Sequence, residues 1–325
     1  MLNLPAHVPV VTLERGGLVE GVHHGSMAVL DAAGGPLALV GDVAAPFYPR
    51  SALKPLQAVA MLRHGLQLPP DLLALATASH SGGPEHLSRV HRILELTGAG
   101  LRDLRNVADL PLGEPERARW LASGRGPEQV AQNCSGKHAA MLTTCRLNGW
   151  ETAGYLEVDH PLQRAVAATI EEFTGEPVAA VTTDGCGAPL FAVSVLGLAR
   201  ATLRLVSADP ASPEGQVAAA LREHPGLVAG RGRASADLVR AVPGLAAKDG
   251  YESVQIAGLT GAGALALKIA DGGDRARLPL ASAGLALLGV DEVALQPFAT
   301  QPVLGGGHRV GTLQALPLDQ YRNCQ

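Results

Sequence analysis

The chain has 325 residues, of which 47% are apolar and 17% charged, and its formal net charge is −4 at pH 7. This composition is typical of a globular protein with ample core material, and its mild acidity gives no reason to expect nucleic acid or an anionic membrane as a partner. The chain begins without a basic stretch leading into an apolar run, and its four cysteines are too few for a disulfide framework, so we expect a cytoplasmic location.

Apolar periodicity predicts strand pairs at both ends of the chain and helices between them. Residues 26–42 hold two short apolar runs around a glycine turn, which is typical of a β-hairpin. Helices are predicted over Ser51–His64 and Pro84–Thr97, and a third from Asp159, because apolar residues recur every three or four positions. Residues 253–273 form a second predicted hairpin. We therefore expect one mixed α/β domain over residues 1–325, with a largely antiparallel sheet flanked by helices.

Lysine is scarce in this sequence and is therefore informative about chemistry. The chain has 22 arginines but four lysines, which are Lys54, Lys137, Lys248 and Lys268. Arginine keeps its proton in proteins, whereas a lysine can be tuned to act as a base or as a metal ligand. The first three lysines lie in glycine- or serine-bearing turns beside other reactive groups, which favours a chemical role over chance sampling from a GC-rich genome.

The segment PRSALKPLQ places Ser51 and Lys54 three positions apart at a predicted helix start. Residues at this spacing share a helix face, so the amine can contact the hydroxyl and remove its proton. Backbone N–H groups at the helix start would also stabilise an oxyanion formed there. The alternative is a serine N-cap followed by a solvated lysine, and this motif alone does not decide between the two.

Two further motifs place hydroxyl and amine groups on small-residue turns. ATASHSGG contributes Ser79, His80 and Ser81, which either relay protons near a substrate or simply end a helix. AAKDGYESV places Lys248 near a predicted strand end, as in the K-[TS]-G element of enzymes that use S-x-x-K. Here an aspartate replaces the serine or threonine of that element.

Two cysteine-bearing turns are candidates for a metal site. QNCSGKHAAM contains Cys134, Lys137 and His138, and TTDGCGAP contains Asp184 and Cys186. Zinc sites usually show C-x-x-C or a pair of histidines, whereas the residue at that spacing from Cys134 is a lysine. Two interpretations stay open: half of a metal site, or two cysteines that pack as small buried hydrophobic residues.

Taken in order along the chain, these motifs resemble the Rhizobium etli-type (class 3) L-asparaginases. The resemblance rests on PRSALKPLQ, ASHSG, NCSGKHAAML, TTDGCGAP, AKDG and ALKIADGG, and it covers residues 10–313. It implies a fold akin to serine β-lactamases and serine glutaminases, a homodimer, and hydrolysis of L-asparagine to L-aspartate and ammonia. Two segments depart from the family's pattern: Gly83 replaces an acidic residue, and KDGYESV replaces a K-x-G-A-E-G-V run.

The resemblance also implies a role for each motif residue. Ser51 would be the nucleophile and Lys54 its base, while Ser79 and Lys248 would form a second Ser–Lys pair, with Ser81 and Lys268 as the respective alternatives. One zinc ion near the substrate would be bound by Cys134, Lys137 and Cys186. The substrate-binding residues would be Arg50, His80, Ser81, His138 and Asp184.

Three other functions remain open at this point. A glutaminase acts on a substrate one methylene longer, a difference worth only about 1–3 kcal/mol, so the sequence does not separate it from an asparaginase. A serine β-lactamase or peptidase would use the same S-x-x-K motif, but it would leave the two cysteine turns without a task. A catalytically inactive protein would bind the amino acid without releasing ammonia.

Overall fold

The computed structural model describes residues 4–321, in which eleven strands and twelve α-helices are found. Strands β1 to β11 are Val8–Arg15, Leu18–Asp31, Pro36–Val40, Pro46–Phe47, Ala180–Thr183, Pro189–Ser194, Leu245–Gly250, Val254–Leu259, Gly263–Ile269, Thr300–Gly305 and His308–Ala315. Helices α1 to α12 are Lys54–Arg63, Pro70–Ala76, Pro84–Glu95, Glu114–Ala122, Ser135–Leu147, Pro161–Thr174, Val195–Ser207, Pro213–Glu223, Pro225–Val228, Ala234–Ala241, Arg277–Leu287 and Glu292–Ala299. Cys324, expected in a frayed tail, lies outside the described residues.

The main sheet is antiparallel throughout. Its strands follow the order β10-β11-β1-β2-β9-β8-β7, and β3 also pairs with β2. The two hairpins predicted from the sequence are confirmed as β2–β3 and β8–β9. A smaller antiparallel sheet has the order β4-β6-β5. The prediction of a largely antiparallel sheet is therefore confirmed.

Both faces of the central strands are buried, because helices cover the sheet on two sides. Along β2, Met27 and Val29 belong to one hydrophobic cluster, whereas Ala28 and Leu30 belong to the other. This alternation follows from the two-residue period of a strand. Helix α7 packs against β2, β8 and β9 on one side, and α11 packs against β8 and β9 on the other. The predicted mixed α/β class is confirmed. Within the described part of the chain, no helix is both long and apolar enough to cross a membrane.

The helix predicted over Ser51–His64 begins in a different way from the expected one. A 3₁₀ turn spans Arg50–Leu53, and α1 follows it, with Pro55 in the first turn where its missing N–H costs nothing. Pro49 occupies the N-cap position, so Ser51 is not a helix cap. Lys54 is only 1% exposed. The alternative of a serine N-cap with a solvated lysine is therefore wrong.

Helix α5 carries the CSGKH motif and packs closely on the end of α2 through Gly136. A Cβ atom at Gly136 would lie 2.5 Å from the Leu75 carbonyl oxygen and 2.6 Å from Leu75 Cγ. We expect Gly136→Ala to lower the free energy of unfolding by about 1–2 kcal/mol, because overpacking costs more than the gain in helix propensity returns. Urea unfolding measures the change. Gly126→Ala, where a Cβ would meet nothing within 4 Å, is the control and should be neutral or slightly stabilising.

Candidate active site

A cavity of about 710 Å³ lies where several segments of the chain meet. These include the 3₁₀ turn Arg50–Leu53, the loop after α2, the loop that leads into α5, the turn between β5 and β6, and the turn between β7 and β8. The cavity lining includes six of the side chains singled out in the sequence, namely Arg50, Ser51, Ser79, Cys134, Asp184 and Cys186. The motifs are far apart along the chain, and the fold collects them around this one space.

The Ser79 hydroxyl is held between two lysine amines. Lys54 Nζ and Lys248 Nζ each lie 3.1 Å from Ser79 Oγ. Ser79 is 5% exposed, and its backbone N–H donates to the Val228 carbonyl at 2.9 Å, which fixes the loop that carries it. The structure therefore brings Ser79 and Lys248 together as the sequence predicted. Lys268, the alternative partner, instead donates to the carbonyl oxygens of Glu252, in the turn between β7 and β8, and of Ile269 on β9.

Lys54 directs its amine toward the Ser79 loop. Besides Ser79, its Nζ contacts the Ala78 carbonyl oxygen at 2.5 Å and Cys134 Sγ at 3.1 Å. A lysine ammonium has three N–H donors, and these three acceptors use all of them. No hydrogen bond between Lys54 and Ser51 occurs within residues 4–321. Ser51 is half-buried and lines the same cavity as Ser79. Of these two serines, Ser79 is the one whose hydroxyl contacts the Lys54 amine.

Lys248 is a fully buried amine whose proton is loosely held. Burial lowers the pKa of Lys248 to about 8, an effect strengthened by Lys54 and Arg233 and opposed by the Asp249 carboxylate. Its Nζ donates to the Asp249 backbone oxygen at 2.6 Å and to Asp249 Oδ1 at 2.9 Å. A lysine with this pKa is substantially neutral near pH 8 and can then accept a proton from a neighbouring hydroxyl.

Several charged side chains on the cavity, among them Arg233, Asp249 and Arg277, were given no role from the sequence. Arg233 lies 3.5 Å from Asp249, and Arg277 is buried and bonded to Gln255. Burial alone would raise the pKa of Asp249, but Lys248, Arg277 and Arg233 hold it well below the ordinary value. The position of Asp249 directly after Lys248 was a usable signal. Nothing marks Arg233 or Arg277 among the other arginines of the sequence.

The two predicted cysteine ligands and the predicted lysine ligand lie in one buried cluster. Lys137 Nζ contacts Cys186 Sγ at 3.2 Å, and Asp184 Oδ2 lies 3.8 Å from the same sulfur. A hydrogen bond to Cys186, together with burial, raises the pKa of the Cys134 thiol to about 12. The same bond and the charge of Lys137 hold the pKa of Cys186 well below its ordinary value. The surrounding groups therefore favour a thiolate at Cys186 and an ammonium at Lys137.

The chemistry of this cluster fits a zinc ion. Two sulfur atoms and an amine are donors that zinc accepts, and burial excludes competing water. Burial alone would lower the pKa of Lys137, but the negative charges of Cys186 and Asp184 outweigh it and raise that pKa, so zinc would have to displace the proton from the amine. Among residues 4–321, no group of three or more histidine, cysteine, aspartate or glutamate side chains could hold a metal ion. The metal prediction therefore depends on lysine as a ligand.

Arg50 and Asp184 form an ion pair in the cavity lining, with 2.7 Å between Arg50 Nε and Asp184 Oδ1. Burial alone would raise the pKa of Asp184, but Lys137 and Arg50 hold it below its ordinary value, so the carboxylate is charged. The site therefore presents a cation and an anion side by side, as the α-carboxylate and α-ammonium of an amino acid require. Arg50 and Asp184, both expected to bind substrate, thus lie next to each other on the cavity.

His80, Ser81 and His138 lie behind the cavity lining and are bonded to other protein groups. Burial lowers the pKa of both histidines well below the ordinary value, so each is neutral. Their hydrogen bonds join His80 Nε2 to Ser135 Oγ at 2.9 Å, Ser81 Oγ to the Ala229 carbonyl oxygen at 3.2 Å, and His138 Nδ1 to the Tyr155 hydroxyl at 2.8 Å. Direct substrate contact, predicted for these three residues, disagrees with these positions. They support the loop that carries Ser79 and the first turn of α5, which carries Lys137.

Sequence comparison places the chain in a family. The sequence model described as L-asparaginase II matches residues 11–315. No curated protein sequence matches the chain. Similar solved structures include a β-lactamase from Mycobacterium bovis, with 18% identity, a TM-score of 0.45, and coverage of 81% of this chain and 94% of that one.

Two further similar structures are glutaminases. One, titled a probable glutaminase, is 16% identical with a TM-score of 0.37 and coverage of 82% of this chain and 86% of that one. A Bacillus glutaminase is 15% identical with a TM-score of 0.34 and coverage of 76% and 85%. At these identities and scores, the assignment depends on the sequence match and not on structural likeness. Because that match spans residues 11–315, the chain belongs to the L-asparaginase II family.

Proposed function

We propose that this protein is a serine amidohydrolase that converts L-asparagine and water into L-aspartate and ammonia. The observation that carries the proposal is the Ser79 hydroxyl between Lys54 and Lys248, in a polar cavity that also exposes Ser51. A hydroxyl held between amines can carry a proton to and from a reacting group, as amide hydrolysis requires. Membership of the L-asparaginase II family supplies the substrate class, a carboxamide.

In this mechanism the more exposed serine hydroxyl, Ser51, attacks the side-chain amide carbon of the substrate. Its proton passes by way of the Ser79 hydroxyl to the neutral amine of Lys248. The bond between carbon and nitrogen then breaks as Ser79, held by Lys54 and Lys248, delivers that proton to the departing ammonia. Water then attacks the Ser51 ester and releases L-aspartate. Arg50 binds the substrate's α-carboxylate and Asp184 its α-ammonium, because their charges are opposite to those groups.

We further propose that Cys134, Lys137 and Cys186 hold one zinc ion. When bound, the ion supplies a fixed positive charge that orients the substrate's α-amino and α-carboxylate end, since the serines already provide a nucleophile. We expect removal of zinc by a chelator to raise KM for L-asparagine more than it lowers kcat. Steady-state kinetics alongside zinc content measured by mass spectrometry test this. A loss of kcat at unchanged KM would contradict the orienting role.

Cysteine variants provide the matched control for the metal site. Cys186→Ser should lose the bound zinc, because a serine hydroxyl is a poor substitute for a thiolate ligand. Cys145→Ala should keep it, because Cys145 is buried within α5 and belongs to the large hydrophobic core. Equal zinc content in the Cys186→Ser variant and the unchanged protein would contradict the proposed ligand set.

The experiment that tests the function is ammonia release from L-asparagine, with L-glutamine and a chromogenic cephalosporin tested in parallel. We expect kcat/KM for L-asparagine to exceed that for L-glutamine by about 10- to 200-fold, the range that one methylene allows. Preferential hydrolysis of glutamine would identify the protein as a glutaminase, and preferential hydrolysis of the cephalosporin would identify it as a β-lactamase. Binding of L-asparagine without ammonia release, with zinc supplied, would favour the inactive binding protein.

The remaining expectations from the sequence become proposals of the same kind. We propose a cytoplasmic homodimer of single-domain subunits that acts on a small molecule. Light scattering of the purified protein measures the oligomeric state, and a monomer at micromolar concentration would contradict it.

A further inference from the structure

Residues with an unusual backbone conformation lie around the cavity. Among residues 4–321, three residues other than glycine have a left-handed φ: Arg50 at +55°, Glu252 at +62° and Ser253 at +58°. All three line the cavity. Side-chain-bearing residues in this conformation are uncommon and concentrate at functional sites, where the surrounding structure holds them in place.

The turn between β7 and β8 is held against the segment that carries Arg50 and Ser51. Gly250 at the end of β7 packs so closely on that segment that a Cβ atom would collide with the Pro49 carbonyl oxygen. Glu252 and Ser253 then reverse the chain into β8. The turn is therefore fixed in position relative to Arg50, and it forms one wall of the cavity.

Tyr251 extends from this turn and lies against Arg50. The Arg50 guanidinium carbon lies 5.2 Å from the centre of the Tyr251 ring, while Arg50 Nε donates to Asp184. Tyr251 is 69% exposed and is not part of a core, so its ring position needs an explanation other than core packing. The guanidinium is thus held on its face by an aromatic ring and at Nε by a carboxylate.

Two nitrogen atoms of Arg50 remain available for a ligand. Within the described residues, neither Nη1 nor Nη2 donates a hydrogen bond to protein. A guanidinium fork with free Nη groups matches a carboxylate in a bidentate arrangement. An arginine on a flexible stem loses side-chain entropy when it binds, and a ring that holds it in advance removes part of that cost.

We propose that Tyr251 is a positioning residue that holds the Arg50 fork in the cavity and makes the site selective for ligands with a free α-carboxylate. This inference rests on the proposed function for its substrate, but it makes a separate statement about binding. L-Aspartate, the proposed product, is the probe for binding because it requires no turnover.

The test compares Tyr251→Leu with Tyr251→Phe. We expect Tyr251→Leu to raise the Kd for L-aspartate, measured by calorimetry, about 3- to 10-fold, which is the range of a partly exposed cation–π contact. KM for L-asparagine should rise by the same factor, with kcat changed less than about twofold. Tyr251→Phe should bind L-aspartate as tightly as the unchanged protein to within about twofold, because it keeps the ring face.

A second substrate tests the carboxylate. L-Asparaginamide lacks the free α-carboxylate, so its KM should be the same in the Tyr251→Leu variant and in the unchanged protein. The inference is overturned by an unchanged Kd in Tyr251→Leu, by a loss in Tyr251→Phe equal to that in Tyr251→Leu, by an equal KM rise for L-asparaginamide, or by a wild-type protein that does not bind L-aspartate. Absence of ammonia release alone overturns the proposed function and leaves the calorimetric result as the test of this inference.

Discussion

Ser51→Ala is expected to lower kcat for L-asparagine by about 10³-fold or more, and Ser79→Ala by about 10²- to 10⁴-fold. Removal of a nucleophile eliminates the covalent route, and removal of a positioned proton donor costs the usual contribution of general acid catalysis. Ammonia release measures both losses. Ser282→Ala is the control, because Ser282 is buried in α11 outside the cavity and its hydroxyl has no hydrogen-bond partner among the described residues.

Covalent trapping separates the roles of the two serines. A reaction with L-asparagine quenched in acid should leave an aspartyl ester on the peptide that contains Ser51, detected by mass spectrometry, and this ester should be absent in Ser51→Ala. Ser79→Ala should still form the ester, but slowly, because it keeps the nucleophile. An ester on the Ser79 peptide would instead identify Ser79 as the nucleophile and Ser51 as the proton donor. The contacts of both lysines with Ser79 are compatible with that result.

Six of the side chains that the motifs singled out line the cavity, and each motif could be found because it is a local feature of the sequence. The strand and helix periods located the hairpins and helices, and small-residue turns marked the loops that reach the cavity. The pairings inside the site depend on contacts between distant segments. Lys54 and Ser79 are 25 residues apart, and Lys248 and Ser79 are 169 apart. No spacing rule in a single sequence predicts that the Lys54 amine contacts Ser79 instead of Ser51.

Proximity within a motif also misled the sequence analysis. Lys137 and His138 are neighbours on α5, but successive helix residues point about 100° apart. Lys137 therefore contacts Cys186, while His138 is directed to Tyr155 in the core. The departure from the family's pattern at KDGYESV was more informative than its matches. It contains Tyr251, which contacts Arg50, and an aspartate that contacts the Lys248 amine.

The contact between Asp249 and Lys248 allows a prediction of how kcat/KM changes with pH. Lys248 must be neutral to accept a proton, and its pKa of about 8 lies below the ordinary lysine value. We therefore expect kcat/KM for L-asparagine to rise with pH, about tenfold per unit well below pH 8, and to level above it. The charged groups that act on the Lys248 amine are Asp249, Lys54 and Arg233.

Two variants should move the rising limb of the pH profile, which is the part below pH 8 where kcat/KM increases with pH, in opposite directions. Asp249→Asn removes a carboxylate that favours the charged amine, so the pKa of Lys248 should fall and the limb should move to lower pH. Arg233→Gln removes a cation that disfavours the charged amine, so the limb should move to higher pH. Rate profiles between pH 6 and pH 10 measure the midpoint, which is independent of how far each variant lowers the maximum rate. Midpoints that move in the same direction, or that do not move, would show that another group sets the limb. Lys248→Met completes the test. A rising limb that persists in this variant cannot be caused by titration of the Lys248 amine.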